Sequence, residues 1–345
     1  MKFIHTADIH LGAEPDAGSS YTAKRPEELW NSFERLLNIC EEEQTDLLLI
    51  AGDLFHRQPL LRELKELDYL FSRLTHTQVV LMAGNHDYLK STSYYRNYKW
   101  QGPVHMFLSQ KPACMEFKEL GVRIYGLSYE EREITEPLYE KILPEKRGIA
   151  SILLAHGGDE KHIPFRKNEL LKLGYDYIAL GHVHKPQKVP GCPKARYSGS
   201  PLPFNVRETS FDKQVIAVTL TAGSPCTIRE LPLPVYKPIE VWHCENIDDA
   251  VEQCEANADR ECWVYLEVKT DHYIHEEDIK KMKAIKADIL SITPVLPEDE
   301  SEDFSASDLK EQPFDELVKN FYRKKFHVDI GEETFSLLTS IIEEN

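Results

Sequence analysis

Five short polar motifs hold the residues of this chain that could do chemistry: Asp8-Ile9-His10, Gly52-Asp53, Gly84-Asn85-His86-Asp87, His156 and Gly181-His182-Val183-His184. Their side chains are Asp, Asn and His without a cysteine. That donor set suits a hard-to-borderline divalent ion, Mn²⁺ first and Fe, Zn or Mg next, rather than a thiolate site. A carboxylate is a natural bridge between two ions, and Asp53 has the right place for it. Asp8, His10 and His184 then fall to one ion, and Asn85, His156 and His182 to the other. Two ions roughly 3.5–4 Å apart generate a nucleophile from water and stabilise the departing oxygen of an in-line displacement, so the expected chemistry is phosphoester hydrolysis. His86, beside Asn85, is placed to protonate a leaving alkoxide, and Asp87 to orient His86 or its loop.

Such residues act together only if the fold gathers them. Each motif directly follows an apolar, β-prone run: KFIHTA, DLLLIA, QVVLMA, SILLA and YIAL. Each therefore sits at the carboxyl end of a strand, the edge where active sites of open α/β sheets collect. Any one motif is common by chance. Their joint occurrence, in order and each at a strand end, has no structural reason of its own.

Amphipathic helices separate the strands. Residues 26–43 open on Pro26 and place Leu29, Trp30, Phe33, Leu36, Leu37 and Cys40 on one stripe, and residues 60–74 repeat the pattern. After Ser151 the runs SILLAHG, YIALGH, ARYSGS, QVIAVTL and TIRELPL are strands, with only KNELLKL helical between them. The expected fold is α/β, two packed sheets with helices outside. The Pro-rich segment Leu231 to Pro238 marks a boundary. Beyond it the order strand, helix, strand, helix, strand (IEVWHC to DILSITPV) reads as a small α+β cap. PEDESEDFSASD is an acidic linker. It leads to a helix pair carrying Phe314, Leu317, Val318, Phe321 and Tyr322 on its first member and Phe335, Leu338, Ile341 and Ile342 on its second.

Composition sets the background. With 345 residues and 41% hydrophobic content the chain supports a large core and two or more domains. No run approaches the roughly 18 apolar residues of a membrane span, and the N-terminus enters a strand at once, so a cytoplasmic protein with no membrane partner is expected. The seven cysteines (40, 114, 192, 226, 244, 254, 262) are scattered and lack a Cys-x-x-Cys pair, which argues against disulfides and a zinc ribbon. Net charge is −17, but residues 1–239 hold 30 acidic and 30 basic groups, whereas residues 240–345 hold 28 and 11. The acidity is thus C-terminal, and two bound cations would make the site itself positive. Nucleic acid is neither excluded nor supported by charge.

The set DxH, GD, GNHD, H and GHVH resembles the calcineurin-like metallophosphoesterases. The flanking HTADIHLG, LLIAGDLFH, GHVHKPQ and YSGSP resemble the SbcD-type nucleases, bacterial counterparts of the Mre double-strand-break repair nucleases. The resemblance is strongest over residues 1–235. It implies a four-layer αββα sandwich, a metallophosphoesterase nuclease domain over 1–235, a DNA-binding cap over 236–297 and a linker with helix pair over 298–345 that docks on an SbcC-type ATPase. It further implies DNA as substrate, two metal ions held by Asp8, His10, Asp53, Asn85, His156, His182 and His184, His86 as catalytic histidine and His56 as a second histidine near it. Pairing of two copies is a family expectation, with the helices after Pro59 or near Tyr94 as candidate faces. Packing on its own domain would explain the helix pair equally well.

Two stretches are candidates for DNA contact. Tyr88 to Trp100 interleaves aromatic and basic residues, suited to stacking bases and holding phosphates, or to a core-facing segment. Lys185, Lys188, Lys194, Arg196 and Arg207 are candidates for a basic rim. One departure from the family stands out: after YSGSPLPF the chain reads NVRET, where a Gly-Glu or Asp-Glu turn is expected. The competing readings are a phosphatase or cyclic-nucleotide phosphodiesterase of the same fold, which needs neither His56 nor the helix pair, and a non-catalytic assembly subunit, whose mark would be missing ligands.

Overall fold

The structure, a computed structural model, describes residues 1–14, 20–145, 148–235 and 237–296, together with Lys319 and Phe335. It contains two compact units, Met1–Val295 and Leu296–Asn345.

The first unit is built on two six-stranded sheets. In chain order its elements are β1 (Lys2–Thr6), α1 (Ser20–Glu42), β2 (Leu47–Ala51), α2 (Leu61–Ser72), β3 (Gln78–Met82), β4 (Val104–Met106), β5 (Ala113–Phe117), β6 (Val122–Gly126), β7 (Ala150–His156), α3 (Lys167–Lys172), β8 (Tyr177–Gly181), β9 (Gln187–Val189), β10 (Cys192–Tyr197), β11 (Gln214–Thr219) and β12 (Thr227–Pro232). One sheet has the order β12-β11-β1-β2-β3-β4 and the other β5-β6-β7-β8-β10-β9. The motif-bearing strands β1, β2 and β3 run parallel in the first, β7 and β8 in the second. All five therefore release their loops at one edge.

Residue pattern explains the layers. The run Leu47–Ala51 is buried at every position, as a strand covered on both faces must be. Its alternate side chains divide between two cores. Leu48 and Ile50 meet Leu29, Phe33 and Leu36 of α1 and Leu64 and Leu67 of α2, while Leu47 and Leu49 meet Ile152, Leu154 and Ala179 of the facing sheet. The outer face of the second sheet carries Leu153, Ile178 and Leu180 against Tyr139, Leu170 and Leu173. This is the four-layer αββα order. At roughly 1.5–3 kcal/mol for each buried aliphatic side chain, the inter-sheet core makes the shared edge rigid.

A third, three-stranded sheet follows, all parallel in the order β13 (Ile239–Cys244), β14 (Trp263–Lys269), β15 (Ile289–Val295), crossed by α4 (Ile247–Ala256) and α5 (Glu276–Ile285). The segment expected as α+β is thus a continuous parallel βαβαβ unit, because each strand pair is joined by a helix rather than a hairpin. Its helix-side core holds Trp242, Val264, Leu266, Val268 and Met282. Its other face meets α1 through Trp263. The indole nitrogen donates to Glu28 Oε1 at 2.9 Å, Lys237 Nζ lies 3.9 Å from the ring centroid, and Tyr21 packs on it at 4.8 Å.

That contact corrects one expectation. Pro26 lies inside α1, which begins at Ser20. An interior proline costs about 3 kcal/mol through its missing N–H and its clash with the preceding turn. The extra turns are held by tertiary contacts that no local pattern reveals: Tyr21 is 1% exposed against Trp263, and the fully buried Arg25 pairs with Glu28 at 3.0 Å and donates to the Pro203 carbonyl. Strands β4, β5 and β6 also went unread in the sequence. β4 has only three residues, and β5, an edge strand, alternates toward solvent.

The linker and helix-pair residues Phe314, Leu317, Val318, Phe321, Tyr322, Leu338, Ile341 and Ile342 lie outside the described residues. In that second unit Lys319 and Phe335 are both helical, with the ammonium 4.7 Å from the ring centroid. Among the described residues no helix is long and apolar enough to cross a membrane.

Candidate metal centre

Backbone hydrogen bonds first lace the loops together. Asp8 N donates to Gly52 O (3.2 Å), His10 N to Asp53 O (3.0 Å) and Leu11 N to Leu54 O (2.9 Å), so the β1 and β2 loops leave the sheet as one ribbon. Asp8, His10, Asp53 and His182 all have positive φ (54°, 51°, 50° and 97°). Non-glycine residues hold that region at a cost, and such strain gathers where side chains are aimed at a function. Two motif glycines are needed for closeness instead. A Cβ on Gly84 would lie 2.2 Å from Asp53 Oδ1, and one on Gly181 would lie 1.9 Å from the Ala51 carbonyl oxygen.

The seven residues expected to hold metal converge. Asp8 is fully buried and Asp53 is 1% exposed. Asp53 Oδ2 lies 3.3 Å from His156 Nε2 and 3.8 Å from His10 Nε2. Asp8 accepts the His182 backbone N–H on both oxygens at 3.0 Å. Asn85 Oδ1 is 2.9 Å from His156 Nε2 and 3.2 Å from His182 Nδ1, and the Nε2 atoms of His10 and His184 stand 3.0 Å apart. Two groups of three, Asp8–His10–His184 and Asp8–Asp53–His156, have their ligand atoms within 4.8 Å of one another.

The far sides of the histidines are occupied. His156 Nδ1 donates to the Ala51 carbonyl at 2.8 Å, which turns Nε2 toward Asp53 and Asn85. His184 Nδ1 meets Glu208 Oε1 at 2.9 Å, turning its Nε2 to His10. Outer partners that fix tautomer and ring plane are characteristic of metal-ligating histidines.

Electrostatics show what the cluster fits. Burial pushes the Asp8 carboxyl up to about 6, against the pull of His156 and His184. Burial also opposes ionisation of Asp53, but His156 and His10 outweigh it and hold its carboxyl well below the usual range. Burial lowers His10 well below the ordinary imidazole value. His156 goes the other way: burial is outweighed by Asp53 and Asp8, and its imidazole is pushed up to about 9. Two buried carboxylates balanced only by histidines, with inward ring nitrogens a hydrogen-bond length from their neighbours, are the environment that divalent cations satisfy.

At the rim, His86 N donates to Asp53 Oδ1 (2.9 Å) and His86 Nδ1 to the His56 carbonyl (3.1 Å), leaving its Nε2 free. The His86 ring lies 4.8 Å from that of His10 and 4.7 Å from that of His56, and His56 Nδ1 is 3.2 Å from His10 Nδ1. Asp87 is placed differently. It is fully buried, and its carboxylate accepts from Gly84 N (2.8 Å), Phe55 N (3.2 Å) and the Tyr95 hydroxyl (3.2 Å). Of its two expected tasks, its hydrogen bonds fit the second, holding the loop.

Of the two candidate DNA-contact stretches, the first largely takes its core-facing alternative, and the second is divided. Tyr95 is buried, Tyr98 and Trp100 pack on the α1–α2 core, Tyr88 packs on the outer core of the second sheet, and Arg96 is tied to the Leu89 carbonyl and Glu130. Aromatic spacing there serves a 3-10 turn over Tyr94–Asn97; Lys90, Tyr94 and Lys99 remain exposed. In the basic rim, Lys194 donates to the Tyr175 carbonyl, beyond the entry end of β8, and Arg196 to the Pro193 carbonyl with Glu230 3.5 Å away. Neither is at the metal edge. Lys185, Lys188 and Arg207 are exposed.

Sequence reasoning missed Glu208 and Asp159. Glu208 lies in the divergent NVRET segment and still delivers a carboxylate. It is 8% exposed and also accepts from Ser200, Asn205 and Lys213. Asp159 Oδ2 lies 2.7 Å from His182 Nε2. Both stand more than twenty residues from their histidines, so no local spacing signals them.

This edge of strand-end carboxylates and histidines between paired sheets fits a metal-dependent phosphoesterase, and the chain belongs to the calcineurin-like phosphoesterases, whose family it matches over residues 1–186. Residues 235–326 match a second family, described as the type 5 capsule protein repressor C-terminal domain. Among curated relatives, the SbcD component of the SbcCD nuclease of Bacillus subtilis (strain 168) is 26% identical over 397 aligned positions, covering 100% of this chain and 99% of that protein. An uncharacterized metallophosphoesterase of the same organism, YhaO, is 32% identical over 243 positions, 65% of this chain and 58% of that one. DNA double-strand break repair protein Mre11 of Methanopyrus kandleri is 29% identical over 237 positions, 62% of this chain and 51% of that one.

Proposed function

We propose that the chain is a manganese-dependent DNA nuclease, an exonuclease with endonuclease capacity, that acts in DNA repair beside an SbcC-type ATPase in the cytoplasm. The supporting observation is the conjunction of the Asp–His cluster with a similarity to a nuclease component that runs through the whole chain, C-terminal third included. Residues 1–235 form the nuclease domain, 236–297 the cap over the DNA, and 298–345 the segment that docks on the ATPase.

Asp8, His10, Asp53 and His184 would hold one ion, and Asp53, Asn85, His156 and His182 the other. When bound, such a pair would make water nucleophilic at neutral pH and offset charge on the phosphate. The protein's own residues do the rest. His156 and His184 turn Nε2 inward because Ala51 and Glu208 hold their outer Nδ1 atoms. His86, anchored through Nδ1 to the His56 carbonyl, offers Nε2 to protonate the leaving 3′- or 5′-oxygen. His56 flanks it in the same wall, and Asp87 fixes the loop that carries His86 and Asn85. Leu60, Leu61, Tyr69 and Tyr94, all more than a third exposed, support pairing of two copies through α2.

The test is hydrolysis of end-labelled single- and double-stranded DNA with Mn²⁺, Mg²⁺ or chelator, beside His86→Ala and a p-nitrophenyl phosphate control. Mn²⁺-dependent DNA cleavage abolished in His86→Ala is expected. Phosphate-ester turnover without DNA cleavage would replace the reading with a phosphatase of the same fold.

A further inference from the structure

We propose that Asp159 is a positioning residue of the metal centre, clamping His182 so that its Nδ1 faces the cluster. The inference rests on the reading of His182 as a ligand.

The chain is shaped locally to deliver this carboxylate. After β7 it reads His156-Gly157-Gly158-Asp159, with the glycines at φ 124° and 120°. A Cβ on Gly157 would lie 2.0 Å from the His162 carbonyl oxygen, and one on Gly158 would lie 2.4 Å from the Tyr197 hydroxyl. Only two glycines make this turn. Gly158 N closes it on the His162 carbonyl at 2.8 Å. Asp159 is then fixed from behind: Oδ1 accepts from Lys161 N (2.9 Å), His162 N (2.9 Å) and His162 Nδ1 (2.8 Å). Oδ2, which also lies 2.9 Å from His162 Nδ1, faces His182 Nε2 at 2.7 Å.

That bond decides which nitrogen of His182 is free. Nε2 carries the proton and donates it to Asp159, so Nδ1, 3.2 Å from Asn85 Oδ1, holds the lone pair toward the cluster. The His162 ring, 4.5 Å away and tilted by 43°, confines the plane of the His182 ring. His182 needs such restraint, since its own backbone is strained at φ 97°. Glu208 makes the equivalent contact on His184, so each histidine of the His-x-His has its own carboxylate from a separate loop. Asp159, His162 and His182 could by spacing alone hold an additional ion. Such an ion would need the Nε2 lone pair that the hydrogen bond to Asp159 removes.

The test titrates metal-free protein with Mn²⁺ alone, by calorimetry, in wild type, Asp159→Ala and Asp159→Asn, with thermal unfolding of each metal-free form. Wild type is expected to bind two ions. Asp159→Ala weakens one of them about 10- to 100-fold and leaves the other unchanged. Asp159→Asn, which keeps an acceptor oxygen but not the charge, falls between. The metal-free forms unfold together, because the Asp159 side chain is 51% exposed and its removal opens no core. Two ions bound alike by every variant would overturn the inference alone. Equal weakening at both sites with a lower metal-free Tm would reduce Asp159 to a structural role, and a third ion lost in Asp159→Ala would make it a ligand instead. A wild type that binds no Mn²⁺ would overturn the metal-centre reading and this inference together.

Discussion

Removing the Asp87 carboxylate separates holding a loop from acting on substrate. One buried group ties three donors from two loops and the 3-10 turn: Gly84 N, Phe55 N and the Tyr95 hydroxyl. Asp87→Ala leaves all three without an acceptor in a site that is 0% exposed. At roughly 1–3 kcal/mol for each stranded donor, the cost is about 3–9 kcal/mol, comparable with a whole domain stability of about 5–15 kcal/mol. Asp87→Asn is graded. Its oxygen can keep Gly84 N, and the Tyr95 hydroxyl can rotate to accept, but the amide then faces the Phe55 N–H. One mismatched donor costs about 1–3 kcal/mol, or roughly 2–12 °C in Tm for a domain of this size. Thermal and urea unfolding of the metal-free proteins reads these values without reference to catalysis. Asp87→Ala that folds with wild-type stability yet loses turnover would rule out the loop-holding role and place the carboxylate on the substrate.

Three other outcomes follow from named contacts. His86→Ala keeps both metals and loses most activity, whereas Asp53→Ala loses metal as well, as read by metal content after desalting; equal metal loss in both would end the division of roles. Trp263→Phe keeps the ring on Tyr21 but removes the hydrogen bond to buried Glu28, at a cost of about 1.5–3 kcal/mol, and should speed proteolysis in the Leu231–Pro238 segment while leaving Mn²⁺ affinity unchanged. Unchanged proteolysis would mean that β14 is held by apolar packing alone. Binding of Mn²⁺ at pH 7.5 releases protons, because His156, raised to about 9, must give up its proton to coordinate. Affinity then falls toward pH 6, where the Asp8 carboxyl takes one up. Binding enthalpy that is the same in buffers of different ionisation heat would contradict this.

The sequence made the strand-end motifs legible because their apolar runs are short, continuous and each broken by a polar residue, a pattern that buried parallel strands require. Seven residues on five loops could thus be assigned to one edge before any contact was known. What escaped depends on distance along the chain. Asp159 and Glu208 serve histidines 23 and 24 residues away, and nothing near either carboxylate marks its partner. Pro26 suggested a helix start because the anchors that extend α1 backward, Trp263 and Pro203, lie on other elements. The Tyr88–Trp100 stretch shows the converse: aromatic and basic side chains in alternation look like a nucleic-acid surface, yet Tyr95 is buried to satisfy Asp87 and Tyr98 donates to Asp68. Composition cannot separate the two, since both need large planar rings with a polar tip.

Every role proposed for the site depends on a pair of ions sharing Asp53. Anomalous diffraction at the manganese edge from Mn²⁺-soaked crystals tests it most directly. Two peaks are expected on either side of the Asp53 carboxylate, one bounded by Asp8, His10 and His184 and the other by Asn85, His156 and His182. A single peak, or two that do not share Asp53, would contradict it.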